Sequence, residues 1–374
     1  MRVAVLGAAG QMAQVVLRDL LEFHPEVEIT AVDRRAPAID DPRVRWAAVD
    51  VTDESATARL IDGHDAVLNC VTYYLNVAVM RAALAARVPY TDLGGLYHGS
   101  LQQFTLDGAF RAAGVPALLG MGSTPGITNA MAGALARRLD RVDEIDVRVA
   151  AIDGAADGPL PVPYALDTVL DEFCLPPMVF EGGRPRAVAP MSGLEDVDFP
   201  DPIGRVSAMS TLHSEVAMFP RSFPGLSGAS FKVAFDPEFV RKVRFLVELG
   251  FASREKTVRD VTPREMLLAL AARLKAPVGP PADCDALLVV VRGERAGEPA
   301  ELRAECVVHP HPEWGLPAGA IDTGCPLAIA GAMLAGGEIS EPGVLCPELA
   351  LPFERFFAEL RRRAIEVRFE EETQ

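Results

Sequence analysis

Basic residues are in short supply in this chain. Thirty-six Lys and Arg face 52 Asp and Glu, a formal net charge of −16 with His neutral. A phosphate-backbone partner needs the opposite balance, because nucleic-acid binding rests on clustered cations that release counterions. No nucleic-acid partner is therefore expected, and a small molecule is the default ligand. Cysteine is sparse too. The six residues at 70, 174, 284, 306, 325 and 346 include no CxxC pair, which excludes the usual zinc spacing and a disulfide framework and leaves no metal expected. Thiols spread in this way suit a reducing compartment, so the cytoplasm is the expected location. A secretory leader is not read at the amino terminus: the apolar stretch 3–10 runs into a helical segment carrying Arg18, Asp19 and Glu22, with no small-residue cleavage site. The uncharged run 323–337 is shorter than the ~18 residues that span a bilayer, and no membrane partner is expected. Internal repeats and low-complexity tracts are missing as well.

What is present is a globular chain of 374 residues, 49% hydrophobic, long enough for two domains. Short apolar runs at 3–6, 27–32, 44–49, 66–71, 88–95 and 116–120 alternate with helical patterns at 11–23, 54–61, 76–87 and 101–113, and a further helix opens near Pro125. Strands separated by helices of this length imply right-handed crossovers and a parallel sheet. The expected fold class is thus α/β, a Rossmann-type doubly wound sheet over residues 1–125. From about residue 142 the character changes to longer alternating strands and Pro-rich connections, which reads as an inserted α+β domain with a mixed or antiparallel sheet at 126–320. The helices of 321–374 are expected to return to the first domain. Long strands such as 286–291 would leave an apolar face or edge exposed, so a homodimer is expected.

The opening "RVAVLGAAGQMAQVVLRDLLEF" joins a strand to a helix through Gly7 and Gly10. Gly7 permits a tight turn, Gly10 lets the backbone approach a pyrophosphate, and Ala13 lets the helix sit close on the sheet. Asp33 ends the second strand 20 residues beyond Ala13, where an acidic group bonds the adenosine ribose. Arg34 beside it is placed to receive a 2′-phosphate. NAD is the expected cofactor, with NADP open. Ala9, Gln11 and Met12 in the turn, Asp50 and Val51 after the third strand, and Asn69, Cys70, Val71, Leu93 and Gly94 at the ends of the next two strands complete the expected groove.

"RVAVLGAAGQMA", "DAVLNCVTYYLN", "YTDLGG", "AAGVPALLGMGSTPGITN" and "FPRSFPGL", in this order over nearly the whole chain, resemble the saccharopine dehydrogenase-like oxidoreductases, the lysine 6-dehydrogenases most closely. The resemblance implies a Rossmann domain, an inserted substrate and dimerisation domain, and oxidation at a carbon bearing nitrogen with hydride passing to a nicotinamide. The expected function is accordingly an NAD(P)-dependent oxidoreductase acting on a C–N bond of an amino acid. Two departures stand out: the glycine turn is one residue longer than in lysine 6-dehydrogenases, and His213 and Glu215 occupy positions that are small residues there. Two other readings stay open, a polyamine transferase resembling homospermidine synthase that stores hydride transiently, and a non-catalytic dinucleotide-binding redox sensor.

Such chemistry needs a group to move the amine proton. Asp92 ends the fifth strand at the ligand-binding edge of the sheet and is either that base or a cap on the glycine turn behind it. Tyr73 and Tyr74 follow the fourth strand beside the expected nicotinamide, Tyr73 as a catalytic and Tyr74 as a substrate-binding candidate. His213 and Glu215 would share one strand face, a base with its orienting carboxylate. Gly122 and Thr124 open a helix whose amides would hold an anionic substrate group, unless the segment is only a Pro-started helix. Arg221, bracketed by Phe219, Pro220, Phe223 and Pro224, would be desolvated and must be paired, either with Glu215 or with a substrate α-carboxylate.

Overall fold

The computed structural model describes residues 1–153, 160, 162, 164–257, 260–274 and 280–370. Its first layer is a seven-stranded parallel sheet: β1 (Arg2–Leu6), β2 (Glu28–Val32), β3 (Val44–Ala47), β4 (Ala66–Asn69), β5 (Tyr90–Asp92) and β6 (Pro116–Leu118), with one strand from much later in the chain. Apart from Arg2, β1 is fully buried, as a central parallel strand covered on both faces must be. Helix α1 (Gln11–Phe23) lays Ala13, Val16, Leu17 and Leu20 into the core, the stripe expected from their spacing. Helices α2 (Glu54–Ile61), α3 (Asn76–Ala86), α4 (Leu96–Phe104) and α5 (Asp107–Ala113) supply the other crossovers. The third strand stops at Ala47, two residues short of the expected end.

After α6 (Ile127–Ala136) the chain enters a nine-stranded sheet. Its spine is β7 (Arg141–Asp153), and the next stretch provides α7 (Leu166–Cys174), β8 (Met178–Glu181), β9 (Arg184–Ala187), β10 (Glu195–Asp198) and β11 (Arg205–Ser210). Helix α8 (Glu215–Ser222), β12 (Gly228–Phe235), α9 (Pro237–Glu248) and α10 (Pro263–Ala271) precede the hairpin of β13 (Asp283–Arg295) and β14 (Glu298–Val308). β7 runs parallel to β12 and antiparallel to β13, so the sheet is mixed.

The dimer argument drawn from 286–291 does not hold. β13 lies inside the sheet between β7 and β14, and Ala286, Leu287, Val289 and Val291 are buried by this chain alone.

The end of the chain serves both sheets. Helix α11 (Ala318–Ala335) packs on α1 and β4; it is apolar and long enough to cross a bilayer, but its side chains are mostly inside the protein core. β15 (Gly343–Leu345) then becomes the seventh strand of the first sheet, beside β6. The short α12 (Pro347–Ala350) and α13 (Phe353–Arg362) follow, and β16 (Glu366–Phe369) joins the second sheet beside β14. α11 and β15 thus lie with the first sheet, and β16 with the second.

One ion pair secures this return. Arg363, just past α13, gives Nε to Asp19 Oδ2 at 2.5 Å and Nη2 to Oδ1 at 2.7 Å, with Nη1 on Glu359 at 2.7 Å. Arg363 and Asp19 are 1% and 0% exposed. Removing one member leaves a buried charge unpaired, which costs about 3–5 kcal/mol. Arg363→Ala should lower the urea midpoint accordingly, and the double variant Arg363→Met with Asp19→Leu should recover most of the loss.

Candidate functional site

The first element of the site is the turn between β1 and α1. Gly7 has φ +77°, and a Cβ there would stand 2.9 Å from the Cys70 carbonyl carbon and oxygen, so only glycine fits. Gly10 is extended and caps α1 without any side-chain hydrogen bond. A Cβ on it would press on the Gly7 oxygen at 3.1 Å and meet no other atom within 4 Å outside its chain neighbours and its own helix. Uncapped opening amides at a helix N-terminus fit a pyrophosphate.

Asp33 stands at the end of β2 and accepts from Ala9 N at 3.1 Å and Arg35 N at 3.0 Å, which brings its carboxylate against the turn. Arg34 is exposed beside it. Asp50 is exposed, with Oδ1 taken by Thr52 N and Oγ1, while Val51 is buried. Asn69 holds Asn76 Oδ1 and Tyr90 Oη from inside the core, so its side chain supports the groove rather than lining it. Burial pushes the Cys70 thiol pKa far up.

Asp92 is not available as a base. It is fully buried, and both oxygens are filled: Oδ1 by Gly94 N at 2.9 Å and Gly120 N at 2.8 Å, Oδ2 by Tyr90 Oη at 2.9 Å and Gln103 Nε2 at 2.5 Å. Burial raises its pKa against these four donors. The carboxylate is a clasp that ties the ends of β5 and β6. Tyr74 is 56% exposed and meets Tyr73 edge-on.

Three hydroxyls at this edge of the first sheet reach carboxylates from elsewhere. Tyr73 Oη donates to Asp171 on α7 at 2.8 Å. Ser123 Oγ donates to Asp322 on α11 at 2.6 Å, and Thr124 Oγ1 donates to Glu215 on α8. Gly122 N is spent on Pro125 O, so it offers no amide to an anion. With two carboxylates flanking the loop, an anionic substrate group at Gly122 and Thr124 is disfavoured, contrary to expectation.

Glu215 also accepts from Thr128 and bonds His213 Nδ1. The expected pairing is present but its backbone differs: Glu215 opens α8 rather than sharing a strand face with His213, and Ser214 provides the turn between them. The imidazole stacks on Phe231 at 3.8 Å, and its side chain keeps 10% exposure. Nε2 has no hydrogen-bond partner among the described residues. Burial alone would lower the His213 pKa, but the charge and hydrogen bond of Glu215, helped by Glu172, outweigh it and hold the imidazolium above its usual range. Burial likewise opposes ionisation of Glu215, and His213 overcomes it, leaving Glu215 below the usual carboxylate range.

Arg221 is not desolvated. Its guanidinium is 40% exposed, bonds Asp107 at 3.1 Å and lies over the Phe104 ring. The partner is thus neither Glu215 nor an open position for a substrate carboxylate.

The residues not anticipated are Glu172, Tyr164, Asp171, Ser123, Asp285 and Asp322. Tyr164 Oη donates to Glu172 at 2.5 Å. Asp322 and Asp285 are buried, and burial raises both pKa values; the charges of Asp322 and Asp283 push Asp285 further up, and Asp283 does the same to Asp322 against the Ser123 and Thr323 donors. Asp322 carried a signal, a single carboxylate at the head of the uncharged run 323–337; Glu172 carried none.

Comparison with known proteins places this geometry. Residues 3–118 match the saccharopine dehydrogenase NADP binding domain, and residues 122–365 match the saccharopine dehydrogenase C-terminal domain. Carboxyaminopropylagmatine dehydrogenase from Synechocystis sp. is 24% identical over 84% of this chain and 83% of its own length. Carboxynorspermidine synthase from Vibrio cholerae is 26% identical over 77% and 73%. Apo saccharopine dehydrogenase (L-Glu forming) from Saccharomyces cerevisiae has the same fold, with a TM-score of 0.72 and 17% identity over 99% of this chain and 100% of that one.

Gly10→Val should abolish NADPH binding, followed by nucleotide fluorescence, with little change in Tm, because the new side chain takes the place of the pyrophosphate and does not enter the core. His213→Gln should lower Tm more at pH 6 than at pH 9.5. A raised imidazolium pKa stabilises fully below its unfolded value of 6.5 and loses that contribution as pH rises through the folded value. Equal losses at both pH values would show the ion pair to be energetically silent.

Proposed function

The chain belongs to the saccharopine dehydrogenase family of NAD(P)-dependent oxidoreductases, and from that premise we propose that its substrate is a polyamine-related amine bearing a carboxyl group, whose CH–NH unit it forms from C=N or oxidises to it. The observation that carries the reading is the His213–Glu215–Thr124 chain, which links an imidazole of the second domain to the ligand-binding edge of the first. Two relatives whose names denote carboxyl-bearing polyamine derivatives support the substrate class. An amino-acid-like portion of the substrate, expected from the resemblance, is kept in this proposal; lysine itself is not required. A homodimer and a cytoplasmic location stay with it as proposals.

When bound in the groove formed by Gly7, Gly10 and Asp33, the nicotinamide supplies or takes the hydride. Everything else falls to the chain. Reduction of a C=N bond needs one proton at nitrogen, and a held imidazolium is the donor for it: Nε2–H gives its proton, and Nδ1–H stays on Glu215, fixing the tautomer that remains. Glu215 is oriented in turn by Thr124 and Thr128. Tyr73 contributes position rather than acidity, since burial and the Asp171 contact hold its hydroxyl far above the ordinary phenol pKa. In the oxidative direction the same nitrogen loses its proton to a neutral His213, so that direction should be favoured by high pH.

The test is NADPH consumption with imines formed from a carboxyl-bearing aldehyde and di- or triamines, and the reverse reduction of NADP⁺ by the corresponding carboxyalkyl polyamines, with lysine as comparison. Turnover with the polyamine series is expected. His213→Gln should then lower kcat by ~10²–10⁴-fold with NADPH binding unchanged. Bound dinucleotide with no turnover on any of these amines would reject the reading.

A further inference from the structure

Helices α9 and α10 of the second domain carry apolar side chains on their outer as well as their inner sides. On α9, Phe239 and Val243 are buried one turn apart, while Arg241, Phe245 and Leu249 repeat at the same spacing on the opposite side, and Phe245 and Leu249 are each 58% exposed. On α10, Leu267 is buried, while Met266 and Leu270 stand one turn apart and are about half exposed. The solvent side of a surface helix is ordinarily polar, so both helices depart from the usual pattern in the same place. Between them runs a groove with a cavity volume of about 330 Å³. Phe245 and Leu246 line it from α9, Leu267 and Leu270 from α10, and Leu274 just beyond. None of the residues placed at the nucleotide turn or in the His213 network lines it.

Both walls are fixed from within. α9 starts on Asp236, whose Oδ1 accepts from Glu238 N and Phe239 N. α10 starts on a reciprocal pair between Thr262 and Glu265, and its Arg264 holds Asp171 and Asp167 of α7 at 2.6 and 2.8 Å. A concave site on anchored helices is preformed, as ligand pockets usually are. Its charged groups are unequal. Arg241 is spent on Glu238, with Nε at 2.8 Å from Oε2 and Nη2 at 2.5 Å from Oε1. Lys242 stands 3.7 Å from the same carboxylate, makes no hydrogen bond among the described residues, and has a side chain only 29% exposed. Its stem therefore lies along the apolar wall, and its ammonium faces the solvent side where Glu238 stands. Among the described residues no Asp or Glu lines the groove. One carboxylate against two cations leaves a positive charge unanswered at the end of a hydrocarbon slot.

We propose that this groove binds a small amphiphilic anion, an aliphatic carboxylate whose chain lies between Phe245, Leu270 and Leu274 and whose head group sits on Lys242. Concavity decides among the possible occupants. A second copy related by a two-fold axis would set groove against groove and fill neither, and a bilayer surface is flat. An apolar helix of a partner needs anchors over two turns or more, whereas this cavity lies at the lower end of the ~300–1,000 Å³ typical of small-molecule sites. Charge decides the head group. The chain of the ligand contributes most of the affinity by covering side chains that otherwise meet water, and the ammonium sets its direction. Nothing in this site depends on amine or hydride chemistry, so it stands or falls apart from the proposed function.

The experiment is calorimetric titration of the NADP⁺-loaded full chain at neutral pH with decanoate, 1-decanol and decylammonium, each kept below its micelle or solubility limit. Decanoate should saturate one site per chain and bind about two- to fivefold more tightly than decanol, the worth of one exposed ion pair. Decylammonium should bind more weakly than decanol, and added salt should narrow the differences. Lys242→Gln should reduce decanoate to the affinity of decanol while leaving decanol unchanged. Leu270→Glu puts a carboxylate into the groove at a half-exposed position and should abolish decanoate binding, with NADP⁺ affinity and Tm retained. The assignment is overturned by an absence of saturable binding to the wild type, by several weak sites in place of one, or by equal affinity for decanoate and decylammonium. Light scattering that shows self-association abolished by Leu270→Glu would give the face to a second copy and overturn it as well.

Discussion

A buried carboxylate is tolerated only where something satisfies it, and this molecule uses that rule to join its two domains. Tyr73, Ser123 and Thr124 stand on loops at the ligand-binding edge of the first sheet, and each donates its hydroxyl to a carboxylate on α7, α11 or α8. Moving one domain relative to the other would strand both partners, at a desolvation penalty of ~1–3 kcal/mol for each orphaned group and more for a charged one. The relative placement of the nucleotide groove and the second sheet follows from these ties.

Much of the first domain was legible because its signals are local. Alternating strands and helices, two glycines between a strand and a helix, and an acid 20 residues past Ala13 are spacings along the chain. The seventh strand was not legible, since three residues, Gly343–Leu345, carry no periodicity and join the sheet only through a partner more than 220 residues earlier. The site divides in the same way. His213 and Glu215 are two residues apart, so their pairing could be foreseen even though the backbone between them turns into a helix instead of continuing as a strand. Asp92 stood at the right edge of the right strand, but its four donors include Gln103 and Gly120, and nothing local announces that its oxygens are filled. Arg221 failed for a related reason: Phe and Pro neighbours in sequence do not enclose a side chain whose partner, Asp107, comes from another helix. Glu172 reads as an ordinary helix-surface acid until the tertiary fold buries it.

The acidity of the chain acquires a local meaning in this light. An excess of Asp and Glu over a whole surface is a statement about solubility and long-range field. The same excess concentrated at a low-dielectric cleft is a statement about which ligands can enter, because a carboxylate there is neutralised by a proton, by a fixed cation or by an arriving one. Asp171 is answered by fixed guanidinium groups and Glu215 by an imidazole, so the two carboxylates are neutralised by different means.

The path of the last forty residues has a kinetic consequence. β15 completes the first sheet and β16 extends the second, so the chain crosses between the two layers after both are otherwise built. Until residue 345 has left the ribosome, β6 is a bare sheet edge with unpaired amides, and α1 lacks the apolar helix that covers it. Neither sheet is finished before residues 343–369 have been made. Pairings of such sequence separation are slow to close, and they make folding of the nucleotide-binding layer and of the substrate layer a single late event rather than two successive ones.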